Sequence, residues 1–162
     1  MSEIVVGLDA SPASRSALAW AANQARMTNV GLRAVHALIV PPIPTESMDV
    51  ISMPASVIPD DRVEQAYRDA VVAVWETVHP EPDWRLEFYR ADTARLLVKQ
   101  STAARMLVIG TREHVGWGRI LSGSVSHYCL SHSACPVVAV PAATESAHDD
   151  EPGQPTDAGR VG

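Results

Sequence analysis

The sequence contains very little lysine. Lys99 is the only lysine among 13 basic residues in a chain of 162. It lies in a helix-like stretch far from any glycine cluster, which excludes a Schiff-base lysine mechanism and a Walker-type phosphate loop. Positive charge is scarce as well, because 19 acidic residues give a formal net charge of −6. A general nucleic-acid-binding protein needs a basic face, and this balance argues against one.

Cysteines and long apolar runs are also lacking. The two cysteines, Cys129 and Cys135, are separated by five residues, a spacing that matches neither zinc sites nor C-x-x-C redox sites. We expect two reduced, partly buried thiols. No apolar run approaches the roughly 18 residues of a membrane span, and Met1 to Glu3 leads into a strand-like run without a signal-peptide pattern. The sequence therefore predicts a cytoplasmic protein with no membrane partner.

The residues that are present alternate between strand and helix patterns. Short β-branched runs such as Ile4–Leu8 and Met106–Ile109 are typical of buried parallel strands. Ser11-Pro12 is a helix-start signal, and Asp92 is a candidate cap of a later helix. The order βαβαβαβαβ predicts an α/β fold: a five-stranded, parallel, doubly wound sheet with helices on both faces.

The helix that begins at Asp60-Asp61 is predicted to bury one apolar face and to end at His79-Pro80. The residues predicted to form that face are Val63, Tyr67, Ala70, Val71, Val74 and Val78.

Two stretches depart from the alternating pattern. Residues 41–59 contain five prolines, few charges and several apolar side chains, which predicts a long loop that covers or fills a neighbouring surface. From residue 142 onward, five acidic residues face one base, Arg160, which predicts a flexible acidic tail. The predicted organisation is one domain over residues 1–141, with the proline-rich loop inside it, followed by the tail over 142–162.

Two strand ends carry the residues best suited to bind a ligand. Asp9-Ala10-Ser11 follows the first strand, and a glycine-bearing loop runs from Gly110 to Ser124 after the fourth. Ligands of doubly wound sheets bind at the carboxyl ends of strands, and the helix opening at Ser124 would favour an anion. These residues indicate a phosphate site. Loop bracing by Asp9 and helix capping by Ser124 explain the same residues without a ligand.

Two separated blocks of the chain resemble universal stress proteins. The first is IVVGLDASPASRSALAWA from Ile4, and the second comprises LVIGTR from Leu107, ILSGSVS from Ile120 and CPVVAV from Cys135. The resemblance covers about residues 3–141. It implies the strand order 3-2-1-4-5, a homodimer, and a non-catalytic role in stress response that involves ATP or another adenine nucleotide.

The ATP-binding members of that family carry the motif G-x2-G-x9-G-[ST]. Gly110 matches its first position, and Gly123 and Ser124 match the last two, but Glu113 occupies the second glycine position. The resemblance implies that Asp9 and Ala37 lie near the base and ribose, above Gly110. The residues implied to receive the phosphates of Mg-ATP are Gly123, Ser124 and Val125.

Glu113 opposes nucleotide binding in two ways. A side chain at a left-handed position costs about 1–2 kcal/mol, and a carboxylate about 4 Å from a phosphate costs about 4 kcal/mol at an effective dielectric near 20. Together they approach the roughly 8 kcal/mol of micromolar affinity. Four alternatives would preserve binding: the Glu113 side chain could point outward, Gly116 could re-form the turn, Mg²⁺ could bridge the carboxylate and the phosphate, and Arg112 or Arg119 could neutralise the charge. Two hypotheses remain: a nucleotide-responsive regulator, and a nucleotide-free dimeric scaffold for an unknown protein partner.

Other polar residues of the loop and the following helix suit catalysis or metal binding poorly. His114 stands beside Glu113, but adjacent side chains diverge and no third ligand is evident. His127 lies three residues after Ser124, yet the G-x-S-x-G elbow of a nucleophilic serine is missing. No catalytic residue and no metal site are predicted. His36 is predicted to be a buried, hydrogen-bonded strand residue.

The fifth predicted strand would form an edge of the sheet. Its core, Val137 to Val140, is wholly apolar, and an unpaired apolar edge invites pairing with another chain. Pairing two such edges about a two-fold axis removes the exposed edge. The sequence therefore predicts a homodimer through residues 137–140.

Overall fold

The computed structural model describes residues 3–38, 61–111 and 124–143. Strands and helices alternate along these ranges. They are β1 (Glu3–Gly7), α1 (Pro12–Thr28), β2 (Leu32–Leu38), α2 (Asp61–Glu76), β3 (Arg85–Arg90), α3 (Thr93–Ser101), β4 (Ala104–Thr111), α4 (Ser124–His132) and β5 (Val137–Pro141). The predicted loop 41–59, most of the predicted glycine-bearing loop (112–123) and the tail from residue 144 lie outside the described residues.

The strands form one five-stranded sheet in the order β3-β2-β1-β4-β5, and every neighbouring pair is parallel. This confirms both the predicted α/β class and the strand order. The chain places β2 and β3 on one side of β1 and then crosses to β4 on the other side. The order therefore reverses between β1 and β4, and a crevice opens at their carboxyl ends, where ligands of such sheets bind.

The sheet is buried on both faces, and the side chains of β1 alternate between the two. Ile4 and Val6 pack against α1 and α2, whereas Val5 packs with residues of α3 and α4. All three side chains are essentially inaccessible to solvent. Burial on both faces explains why the parallel strands are continuous apolar runs rather than alternating ones.

Helix α1 begins and ends as the sequence predicts. Ser11 is the N-cap, and its hydroxyl accepts a hydrogen bond from the amide of Ser14 (3.2 Å), with Pro12 at the first helical position. Asn29 ends the helix in the left-handed conformation (φ 50°). The helix has 17 residues, and neither it nor any other helix of the described ranges is long and apolar enough to cross a membrane.

The predicted apolar face of α2 is wrong in its first half. Val63 and Tyr67 are 64% and 52% exposed, and Ala70 is exposed too. Val71 and Val74 are buried as predicted, together with Trp75, so the fully buried part of the apolar face is confined to the second half of the helix. It ends at Glu76, before the predicted His79. Apolar residues at helical spacing mark a face without showing how much of it the rest of the fold covers.

A polar network joins β1, β2, β3 and α3 at the amino-terminal part of the sheet. The buried guanidinium of Arg33 pairs with Glu3 (2.8 Å) and Glu87 (3.3 Å) and donates a hydrogen bond to Gln100 (2.8 Å). Tyr89 donates its hydroxyl to Glu87 (2.6 Å). Partial burial acts to raise the pKa of Glu87, but these hydrogen bonds outweigh it and the pKa is lowered. The network is centred on Arg33, near the amino-terminal end of β2, and its Tyr89 lies near the carboxyl end of β3.

Candidate functional site

The turn between β1 and α1 is held by a closed set of hydrogen bonds. The Asp9 carboxylate accepts a hydrogen bond from the amide of Ser11 (2.8 Å), and the Ser14 hydroxyl accepts one from the amide of Asp9 (2.8 Å). The same Ser14 hydroxyl donates to the carbonyl of Gly7 (3.3 Å). Ser14 therefore ties the end of the strand to the first turn of the helix. Asp9 braces the loop, which is the structural role that the sequence left open.

Sequence reasoning missed Ser14. Its side chain is buried although it is polar, and it stands three residues after the N-cap Ser11. That position is the one from which a side chain reaches back to the start of a helix in a capping box. The S-x-x-S spacing was the signal that could have found it.

Gly110 lies where β4 meets the start of α1. A Cβ atom at this position would lie 2.6 Å from the carbonyl carbon of Ala13, 2.7 Å from its oxygen and 2.8 Å from the amide nitrogen of Ser14. All three are backbone atoms, so any side chain would push α1 off the sheet. Close packing of the helix thus requires a glycine here, independently of any ligand.

The first turn of α4 reaches the same edge of the sheet. Ser126 is buried, and its hydroxyl donates to the carbonyl of Gly110 (3.4 Å). Ser124, the first residue of the helix, is exposed, and Val125 is partly buried. The predicted Gly123 and Arg112, and with them Glu113, lie outside the described residues. The structure thus brings Asp9 to Ser11, Gly110 and Ser124 to Val125 to one edge.

Ala37 lies one strand away from this turn, near the carboxyl end of β2. It pairs with Tyr89 of β3 and packs partly buried on the face covered by α3 and α4. Its neighbour His36 points to the opposite face and is buried, and its Nδ1 lies 2.7 Å from the carbonyl oxygen of Leu8. The prediction of a buried, hydrogen-bonded histidine is confirmed.

The cysteines take no part in this arrangement. Both are free thiols, Cys129 buried and Cys135 partly buried, as predicted. Burial raises the pKa of Cys129 to about 11 and raises that of Cys135 as well, so both thiols are protonated at neutral pH. Across residues 3–38, 61–111 and 124–143, no group of three or more His, Cys, Asp or Glu side chains could hold a metal ion.

Two helices, α1 and α4, begin beside the carboxyl ends of β1 and β4. The amino-terminal end of a helix carries a partial positive charge and favours an anion. The strand order defines a doubly wound α/β protein whose topological switch point lies between β1 and β4, where ligands of such sheets bind.

Comparison with known families makes the assignment specific. The model of the universal stress protein family matches residues 1–141, and the chain belongs to this family.

Curated relatives include mycobacterial proteins. A universal stress protein of Mycolicibacterium smegmatis is 29% identical over 155 residues, covering 90% of this chain and 50% of that protein. One of Mycobacterium tuberculosis is 31% identical over 144 residues, covering 85% of this chain and 46% of that protein. The chain thus spans about half the length of these relatives.

Solved structures show the same fold. A universal stress protein of Lactobacillus plantarum superposes with a TM-score of 0.64 at 20% identity, covering 86% of this chain and 97% of its own. A universal stress protein in complex with cAMP superposes with a TM-score of 0.58 at 21% identity, covering 88% of this chain and 98% of its own. One from Archaeoglobus fulgidus in complex with dAMP gives 0.55 at 20% identity, covering 86% and 98%. At these identities the likeness establishes the fold.

Proposed function

We propose that this protein is a non-catalytic stress-response regulator that binds an adenine nucleotide at the carboxyl ends of β1 and β4. The observation that carries the proposal is the meeting of the Asp9–Ser14 turn, Gly110 and the first turn of α4 at the switch point of the sheet. Family membership and the cAMP and dAMP held by two structural neighbours support an adenine nucleotide as the ligand.

In this proposal each part of the crevice contacts one part of the nucleotide. Asp9, Ala10, Ser11 and Ala37 lie on the side of the base and ribose. The hydrogen bond to Ser11 engages one carboxylate oxygen of Asp9, and the second suits a ribose hydroxyl. The phosphate side is assigned to Gly110 and to four further residues: Arg112, Gly123, Ser124 and Val125.

Calorimetric titration with Mg-ATP, AMP and cAMP tests this proposal. Two variants separate the effects of Glu113: Glu113→Gln removes its charge but keeps its size, and Glu113→Gly removes both. Micromolar binding by the wild type supports the nucleotide-binding regulator and shows that Glu113 is tolerated. Tighter binding of ATP than of AMP, further strengthened in Glu113→Gln, assigns the residue to the phosphate side. If neither wild type nor variants bind, the assignments to Gly123 and Ser124 are wrong.

The second candidate is a nucleotide-free dimeric scaffold with an unknown protein partner. Two observations favour it: Glu113 stands at a motif glycine, and β5 is an edge strand whose Val137–Val140 segment carries no charge. Binding by Glu113→Gly alone would select the scaffold, because the crevice would then be intact but closed by one side chain. The proposed homodimer through residues 137–140 is tested by light scattering after size exclusion, and a monomer at micromolar concentration refutes it.

A further inference from the structure

His36 holds the peptide that leads into the candidate site. Its side chain is 4% exposed, and Nδ1 lies 2.7 Å from the carbonyl oxygen of Leu8, the residue before Asp9. A carbonyl oxygen can only accept, so Nδ1 carries the hydrogen. The hydrogen bond spans two strands, from near the end of β2 to the residue that follows β1.

The imidazole ring is itself held in place by two aromatic rings. Tyr67 of α2 lies with its ring centroid 5.8 Å from that of His36, and Phe88 of β3 approaches edge-on at 5.6 Å. The donor is therefore pre-oriented by elements outside the turn.

The bond acts on a particular peptide group. The Leu8 amide still pairs with Val35 of β2 (2.9 Å), but the next peptide unit, between Leu8 and Asp9, has left the sheet. Its carbonyl is held by His36 (2.7 Å) and its amide by the hydroxyl of Ser14 (2.8 Å). Because a peptide group is planar, holding both ends fixes the plane and with it the direction in which the chain enters Asp9.

We propose that His36 is a positioning residue of the nucleotide site, acting with Ser14 as a clamp on the Leu8–Asp9 peptide that directs Asp9 toward the ribose. This inference rests on the proposed function for its ligand, and on the hydrogen bonds alone for the clamp. His36 touches no part of the nucleotide. It acts through the turn.

Three variants test the clamp. His36→Leu removes the donor. His36→Asn restores it, because the asparagine amide nitrogen occupies the position of Nδ1 along the side chain. His132→Leu is the matched control, since His132 also places Nδ1 3.0 Å from a carbonyl, that of Tyr128, but on the exposed end of α4. Each variant is measured by calorimetry with AMP and by amide hydrogen exchange at Asp9 and Ser11, with global stability from urea unfolding.

We expect His36→Leu to bind AMP about tenfold more weakly, the effect of losing about one hydrogen bond. Exchange at the Asp9 and Ser11 amides should accelerate more than the change in global stability accounts for. His36→Asn should recover most of both effects, and His132→Leu should match wild type. The ¹⁵N spectrum of the wild type should show the Nδ1-protonated tautomer.

The outcomes separate this inference from the proposed function. Unchanged exchange at Asp9 and Ser11 in His36→Leu overturns the clamp, whatever the nucleotide does. Normal AMP affinity in a variant whose turn has loosened overturns the positioning role. Accelerated exchange in a protein that binds no nucleotide even as wild type leaves the clamp in place and refutes the proposed function instead.

Discussion

Adding one methyl group at Gly110 tests the packing of α1 on the sheet. In Gly110→Ala the new Cβ would lie 2.6–2.8 Å from backbone atoms of Ala13 and Ser14, and backbone can relieve the overlap only if the helix moves. Overpacking of this kind costs about 1–3 kcal/mol or more. The gain from restricting the unfolded chain offsets only about 0.4–1 kcal/mol. Because the overlap is with backbone atoms, we take the upper end of the overpacking range, about 3 kcal/mol, and expect a net loss of about 2 kcal/mol.

Two other glycines provide matched controls. At Gly7 the new Cβ would meet Leu97 Cδ1 at 3.0 Å, the end of a flexible side chain, and at Gly31 its nearest neighbour would be Glu3 Cβ at 3.7 Å. Gly31→Ala should therefore be neutral or slightly stabilising, and Gly7→Ala should change stability by less than about 1 kcal/mol, because Leu97 can shift. We therefore predict that Gly31→Ala is the most stable of the three variants, Gly7→Ala is intermediate and Gly110→Ala is the least stable.

Urea unfolding followed by circular dichroism measures this order. A loss of about 2 kcal/mol corresponds to a melting temperature lower by about 4–8 °C for a chain of this size. The displaced helix start should also accelerate amide exchange at Asp9, whose N–H is held by Ser14. Gly110→Ala with wild-type stability and wild-type exchange would show that α1 does not pack on β4 as closely as described.

Three further predictions concern single side chains. Arg26→Ala should lower the free energy of unfolding in urea by about 1–2 kcal/mol, because the guanidinium donates hydrogen bonds to the carbonyls of Val78 (2.8 Å) and His79 (2.9 Å). Glu81→Ala removes only the exposed ion pair and should cost less than about 1 kcal/mol, so equal losses in the two variants would contradict the role of these hydrogen bonds. Cys129 should resist thiol reagents at pH 7 until the protein unfolds, because burial raises its pKa to about 11, whereas rapid labelling of both cysteines in the native protein would contradict its burial. Glu87→Gln should destabilise the protein at pH 6, and the difference from wild type should shrink as the pH falls below about 4.5. The sign follows from the lowered pKa of Glu87, since a carboxylate with a depressed native pKa stabilises the fold above its ordinary pKa and loses that effect as the pH falls through its native pKa. A difference that does not shrink at all as the pH is lowered would refute the assignment.

The strands could be predicted because burial on both faces of a parallel sheet requires apolar β-branched runs, which are visible in the sequence. Their order was implied only by the resemblance to universal stress proteins, since no local pattern determines which strands pair. The caps of α1 and α3 were predictable for a similar reason, since Ser11 and Asp92 accept local amide hydrogen bonds. The exposed half of α2 was not, because the exposure of Val63 and Tyr67 depends on how closely the helix packs on the rest of the fold, and no local pattern encodes that.

The candidate site was predictable in its position and less so in its construction. Strand ends with Asp9 and Gly110 could be found from the sequence, but the reason for Gly110 is a backbone contact with a helix almost a hundred residues earlier. His36 was predicted to be buried, yet its partner, the carbonyl of Leu8, is identified only once β1 and β2 are adjacent. Contacts between residues distant in the sequence thus determine the role of each of these side chains, and the sequence pattern around a residue does not show them.

The two edges of the sheet differ in a way that bears on how large an assembly can grow. At one edge, β3 carries exposed arginines at both ends, Arg85 and Arg90, a common safeguard against strand addition. At the other edge, β5 carries only valines, alanine and proline. If copies associate through β5 about a two-fold axis, each copy contributes its uncharged β5 edge to that contact and leaves its arginine-bearing β3 edge facing outward. Growth then stops at two copies, and the same asymmetry protects the protein from forming open-ended fibres.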